Sequence, residues 1–324
     1  MRAILDAMVN VPPVPPPDLV ARIGGTCEQY LEFALAQRRI LESLLPANWS
    51  LDGKAVLDLG CGPGRTLSAF LEEGETAEFV GCDIHAESIA WASSALSPPF
   101  TFFMCHETPP LAQPDQRFDL VYAMSVFTHI TDQWSNWLVE LHRVMRRGAI
   151  AVVSVLGPIV ASREFGIDWD DRIGMVSMNF HQGWEIGGPS TLLAEWWVRE
   201  HWGRAFEILS FEHPDEWFDQ DFVVMRKREV TVTAEQLEAV DHRDSREYAS
   251  LACNLELLRR QQQTLGEQVR EARRARLAAE TFAQRQQAEL ERLTRLLHEI
   301  SGSRSWRLTA PLRRARRRTS RPSS

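Results

Sequence analysis

An apolar run that ends in an acid and then alternates glycines constrains this chain more than any other stretch: Val56-Leu57-Asp58-Leu59-Gly60-Cys61-Gly62-Pro63-Gly64-Arg65-Thr66. Ala55–Leu59 reads as a buried strand. The glycines after it let the backbone turn tightly and let a ligand approach with no Cβ in the way. Their spacing is G-x-G-x-G, not the G-x-G-x-x-G of a dinucleotide fingerprint, and no Lys-Ser/Thr follows to make a phosphate-cradling loop. A second apolar run ends in Val80-Gly81-Cys82-Asp83-Ile84, which puts Asp83 23 residues beyond Gly60. An acid at that strand end accepts both ribose hydroxyls of an adenosine. A glycine turn alone says little. Joined to Asp58 and Asp83, it says nucleoside.

The rest of the first 230 residues repeats strand and helix. Ala55–Leu59, Ala77–Cys82, Phe100–Met104, Phe118–Met124 and Ala149–Leu156 are short runs rich in Val, Phe and Ile. Thr66–Glu73, Ala86–Ala95 and Asp132–Arg147 between them are helix-like. Such alternation implies a parallel sheet covered on both faces, with ligands at the carboxyl ends of the strands. Further on, Ser190–Trp202 reads as a helix and Ala205–Phe211 and Asp221–Arg226 as strands. Residues 157–189 read as a long irregular insertion, of the kind that shapes substrate access.

Taken together, VLDLGCGPGRT, FVGCDIHAESIAWA and FDLVYAMSVFTHI resemble the class I S-adenosylmethionine-dependent methyltransferases. The resemblance covers roughly residues 50–156 and includes HRVMRRGAIAVVSVLG as the helix leading into strand five. It implies a seven-stranded, mostly parallel, doubly wound sheet in the order 3-2-1-4-5-7-6, with strand 7 antiparallel. It also implies S-adenosyl-L-methionine as cofactor. Carried over by position, Gly60, Gly62 and Gly64 line the methionine side with Asp58 beneath them. Asp83 holds the ribose, Ile84 packs on the adenine, and Ser125 lies beside the cofactor near the acceptor entrance. Where the family often has an Asp after strand three, this chain has Cys105-His106-Glu107. His106 is taken as the adenine contact there, with its two neighbours as alternatives.

Methyl transfer is an in-line displacement, so the protein positions the acceptor and, for a hydroxyl, removes its proton. His129, just after strand four, is the first candidate base; its structural alternative is a hydrogen bond to a nearby loop. His181, inside the insertion, is the second. His201 sits in an aromatic helix and reads as packing. His181 with Asp168, Asp170 and Asp171 matches no ligand motif, so no metal is expected. Six of the eleven tryptophans fall between Trp169 and Trp217. Indole faces suit sugar rings, and Trp169 and Trp184 lie in the insertion; packing under a long loop is the alternative. Of the adjacent Trp196 and Trp197 one is expected in the core. Trp134 and Trp137 read as core.

Charge divides the chain. Residues 1–230 carry 32 acids against 17 bases, 231–300 carry 12 against 11, and 301–324 carry eight Arg and no acid. An acidic body is a poor partner for a phosphate backbone, so nucleic acid is disfavoured as a substrate of the first domain and is not expected as a partner. From Tyr248 an unbroken heptad runs with a positions Tyr248, Leu255, Gln262, Val269, Arg276, Ala283, Leu290 and Leu297. Its d positions are Leu251, Leu258, Leu265, Ala272, Ala279, Gln286, Leu293 and Ile300. Aliphatic residues hold most of these, with polar ones in the middle. This reads as a coiled coil of roughly 80 Å, with a parallel dimer or trimer as the expected homo-oligomer and a single solvated helix as the alternative. The end, from Ser303-Arg304-Ser305-Trp306-Arg307 through Thr309, Pro311, Leu312 and Arg313, resembles a short segment found after coiled coils in bacterial surface-polysaccharide enzymes. Clustered Arg beside Trp306 suits an anionic membrane face. A solvated tail or an acidic protein partner are the other readings.

The domains expected are therefore 1–49 (a proline-rich segment and helix), 50–230 (the methyltransferase domain, with 157–189 inserted on its substrate side), 231–302 (coiled coil) and 303–324 (basic tail). Five scattered cysteines with no C-x-x-C pair point away from disulfides and from a cysteine zinc site, toward a reducing cytoplasm. Residues 1–17 have no basic stretch before an apolar run and do not read as a signal peptide. The longest apolar run, Ala149–Ala161, is too short to span a bilayer. The function expected is O-methylation of a sugar or glycan hydroxyl in bacterial surface polysaccharide biosynthesis. A glycosyltransferase complex is the expected partner, with peripheral contact to the inner membrane face through the tail. The rivals are a small-molecule methyltransferase, a non-catalytic cofactor-binding scaffold, and a nicotinamide oxidoreductase, the last disfavoured by the glycine spacing.

Overall fold

β1 (Ala55–Leu59) has a parallel neighbour on each edge and is buried at every residue because both faces of the sheet are covered. The computed structural model describes residues 11–180, 182–184, 187–213 and 219–309. β2 (Glu78–Asp83), β3 (Thr101–Met104), β4 (Phe118–Ala123) and β5 (Met145–Val155) run parallel to β1. A hairpin of β6 (Met175–Met178) and β7 (Ser190–Leu193) follows as a separate two-stranded sheet. β8 (Phe206–Glu212) and β9 (Asp221–Lys227) then complete the main sheet, β9 pairing antiparallel with both β5 and β8. The order β3-β2-β1-β4-β5-β9-β8 is the Rossmann-like methyltransferase topology expected.

Period-2 alternation sorts the strand residues into two cores. Ala55, Leu57 and Leu59 join the cluster that holds Trp134, Trp137, Leu138 and Leu141, whereas Val56, Phe79, Leu120 and Tyr122 join the cluster that holds Leu41, Leu67 and Phe70. The helices that cover these faces are α1 (Pro17–Arg22), α2 (Tyr30–Leu44), α3 (Arg65–Ser68), α4 (Ala86–Ala95), α5 (Trp134–Val144), α6 (Pro158–Phe165) and α7 (Glu195–His201). α8 (Ala234–Glu238), α9 (Ser245–Gly302) and α10 (Arg304–Leu308) end the described chain.

Several elements differ from the sequence reading. α3 stops at Ser68, short of Glu73, because i→i+3 bonds from Ala69 and Phe70 tighten its end. α5 gives way at Met145 directly to β5, which therefore begins earlier than Ala149. The insertion is not irregular, since it carries α6 and β6. Ser190–Leu193 is strand rather than helix. Its amides are claimed by distant carbonyls, Thr191 N–H by Thr128 at 2.7 Å and Leu193 N–H by Leu156 at 2.9 Å, and these long-range bonds override local helix propensity.

Residues 231–244 do not belong to the long helix. A Thr233–Gln236 capping box starts α8, and its Leu237 is fully buried. The described residues divide into two units between Asn254 and Leu255. The first turns of α9 thus belong to the body: Glu247 and Ser250 are buried there, and Asn254 Nδ2 donates to the Met175 carbonyl at 2.7 Å. Beyond Asn254 the helix is one continuous rod in which the residues of the heptad seam are exposed. The second part of the basic tail, 310–324, lies outside the described residues. Among the described residues no helix is long and apolar enough to cross a membrane.

Candidate functional site

A cavity of about 820 Å³ opens at the carboxyl edge of the parallel strands, where β1 and β4 meet. Its wall includes Asp58, Gly60, Gly62, Asp83, Ile84, His106, Ser125 and His129 from the sequence reading. Cys105 and Glu107 line it as well, so the whole stretch after β3 faces the cavity. Gly64 stands apart from this wall. It begins α3 with φ +83°, packed toward Leu96 and Phe102, so its role is in the turn. His181 lies outside the described residues.

One end of the cavity is made by backbone. Gly60 adopts φ +75°, and a Cβ there would lie 2.3 Å from Val126 Cγ2, so any side chain would be strained and would displace Val126. Asp83 is held rigidly: Oδ2 accepts the Gly62 N–H and Oδ1 the His85 N–H, both at 2.8 Å. Each oxygen keeps a lone pair directed elsewhere. Asp58 is buried beside Tyr122, and its Oδ2 has no hydrogen-bond partner within the described chain. Burial pushes the Asp58 carboxyl up to about 8; the Asp83 charge adds to this, while the Tyr122 hydroxyl and the Arg65 guanidinium oppose it.

The other end is made by side chains from far apart in the chain. His129 Nδ1 lies 2.7 Å from the Pro189 carbonyl, and its ring meets Trp184 edge-on at 5.8 Å. Burial lowers the His129 pKa, with the Pro189 contact opposing. The Trp184 indole N–H donates to Glu107 Oε1 at 3.1 Å, and the Trp137 indole N–H donates to the Glu107 carbonyl at 3.0 Å. Ser125 sits in the left-handed region at φ +57°, its amide donating to Ser154 Oγ at 2.7 Å. Its hydroxyl pairs with Gln220, whose Nε2 lies 2.8 Å away.

Sequence reasoning missed Gln220, Phe180, Gln182 and the pairing of Trp184 with Glu107. Gln220 was within reach: an antiparallel last strand presents its first residues, not its last, at the carboxyl edge. Trp169 packs against the core, while Trp184 lines the cavity. Trp197 is core, stacked on His201 at 4.3 Å. Trp196 faces Arg246, whose guanidinium lies 4.7 Å over its ring.

Sheet order, glycine turn and strand-end acid are those of a Rossmann-like methyltransferase fold, a fold whose methyl donor is typically S-adenosylmethionine. Residues 56–148 match the family model described as a methyltransferase domain. The chain is 33% identical over 128 residues to the trans-aconitate 2-methyltransferase of Azoarcus sp. (strain BH72), across 40% of this chain and 49% of that protein. It is 36% identical over 107 residues to the ubiquinone biosynthesis O-methyltransferase of Bradyrhizobium sp. (strain ORS 278), across 33% of this chain and 41% of that one. The chain thus spans 41–59% of the length of the curated relatives it matches. A solved S-adenosylmethionine dependent methyltransferase from Mesorhizobium loti is similar at 19% identity and a TM-score of 0.47, over 58% of this chain and 96% of that chain.

The residues present fit that cofactor. Asp83 offers two fixed acceptor oxygens to a ribose diol. The unpartnered oxygen of Asp58 suits an ammonium group.

Proposed function

We propose that the chain methylates a hydroxyl of a small polar acceptor, with a sugar, free or within a glycan, as the class the cavity suits. The observation that carries this reading is the tautomer of His129. A carbonyl only accepts, so the contact with Pro189 fixes the ring proton on Nδ1 and leaves Nε2 as the basic atom. A hydroxyl loses its proton as it attacks, and Nε2 is where that proton goes. The lowered pKa keeps this base unprotonated at neutral pH.

S-adenosylmethionine, when bound, supplies an electrophilic methyl group on a sulfonium. The chain supplies the holding and the orientation. Asp83 and Asp58 anchor the ribose and ammonium ends, Ser125 with Gln220 forms a fixed polar wall, and the half-exposed Trp184 offers an indole to a sugar ring.

A second reading follows from relatives whose names indicate acids as acceptors, trans-aconitate and malonyl-[acyl-carrier protein]. A carboxylate needs no base. For it, Arg22 and Arg65 line the same cavity; against it, Thr131, Asp132, Gln182 and Gln220 on that lining are neutral or acidic. Labelled S-adenosylmethionine offered with nucleotide sugars, oligosaccharides and tricarboxylic acids separates the two. The expected product is an ether whose label survives alkali and whose formation stops in His129→Ala. A label released by alkali, formed equally by His129→Ala, would mark an ester and sink the hydroxyl reading.

A further inference from the structure

The exposed seam of α9 points to a partner of its own sequence, running the opposite way. Ten large side chains on the heptad core positions, from Tyr248 to Ile300, are each 49–66% exposed. At roughly 100 Å² apiece they offer roughly 1,000 Å² per copy, and two copies exceed the roughly 1,600 Å² of a standard stable interface. A face of that extent is an association surface; Leu277, Phe282 and Leu296 add exposed apolar side chains beside it.

The order of residues along the seam selects the partner. The core positions form a near-palindrome about residue 274. Positions equidistant from that centre match in kind: Leu251 with Leu297, Leu255 with Leu293, Leu258 with Leu290, and Gln262 with Gln286. Nearer the centre they complement in size, Leu265 with Ala283 and Val269 with Ala279. A two-fold interface asks for this, since residue i meets residue j and j meets i.

A parallel pair would instead stack Arg276 on Arg276 in the seam and leave the small layers Ala272, Ala279 and Ala283 facing themselves. That combines like charge with unfilled volume. Reversing one helix places Arg276 beside the partner's Ala272, puts large beside small, and keeps glutamine against glutamine. We infer that α9 forms an antiparallel two-stranded coiled coil with a second copy of this chain, so that the two methyltransferase bodies leave the rod from opposite ends. This replaces the parallel assembly expected from the heptad alone and does not depend on the acceptor chemistry.

Sedimentation equilibrium of the full chain at micromolar concentration should read twice the 37.0 kDa monomer mass. Orientation is read by two further measurements. Leu258→Cys mixed with Leu290→Cys should give an oxidised cross-link that neither variant gives alone. Ala272→Glu, which sets a carboxylate beside the partner's Arg276 at two symmetric places, should tighten the dimer by roughly three- to tenfold. A monomer or a trimer overturns the inference. So does Leu258→Cys cross-linking with itself, or Ala272→Glu loosening the pair, since a parallel seam would set those two carboxylates against each other.

Discussion

The two ends of the cavity are built by opposite strategies. The cofactor end takes its determinants from two short stretches, 58–62 and 83–85, and secures them with backbone amides. The end proposed for the acceptor takes Ser125 and His129, Trp184 and Pro189, and Gln220 from three stretches and secures them with side-chain contacts across as many as 95 residues. A site that must always hold one molecule is written locally and rigidly. The site proposed for the acceptor is written at longer range.

Breaking one end without the other tests that division. The largest effect belongs to His129→Ala, which should lower kcat by about 10²–10⁴ while leaving affinity for S-adenosylhomocysteine within about twofold. Loss of both together would erase the distinction. Because burial holds the His129 pKa below its ordinary value of 6.5, kcat/KM should rise with pH and level off before pH 6.5. His129→Gln should remove that limb.

Asp83→Ala comes next. It deletes a charged acceptor of the ribose hydroxyls, worth about 1.5–3 kcal/mol, and should weaken S-adenosylhomocysteine by roughly 10–100-fold in calorimetry. NADH should give no heat with either form.

Asp58 gives a smaller effect, with a sign. Its carboxyl titrates at about 8, so below that pH the free protein holds it protonated, and an ammonium ligand must displace the proton. Affinity for S-adenosylhomocysteine should therefore climb as pH rises from 6 toward 8, by at most about tenfold per unit, and flatten above. In Asp58→Asn the slope should vanish. Smallest is Gln220→Ala, which removes a neutral contact of about 0.5–1.5 kcal/mol and should raise the acceptor KM a few-fold at nearly constant kcat. A change in cofactor affinity instead would mean that Ser125 and Gln220 serve the other end.

This contrast also explains what the sequence made legible. The sheet order and the residues from Asp58 to Ile84 could be read because strand, turn and acid are consecutive and their spacing is geometry. The β6–β7 hairpin could not: Ser190–Leu193 runs with one residue between into the helix Glu195–His201, and pairing with β6 and the Thr128 and Leu156 carbonyls make it a strand. His129 was visible as a residue but not as a tautomer, because its partner Pro189 lies 60 positions away. The heptad showed a seam, while its direction lay in the mirror order of core residues rather than in their period.

Trp184 carries a practical consequence. At 37% exposure, with its indole N–H on Glu107 and its edge toward His129, it is an optical reporter set between the two ends of the cavity. Filling the cavity dries that indole, so its emission should move to shorter wavelength. The difference between the wild-type spectrum and that of Trp184→Phe isolates this one fluorophore from the other ten tryptophans. Acceptors can then be screened by a colour shift in the protein itself, before any product is known.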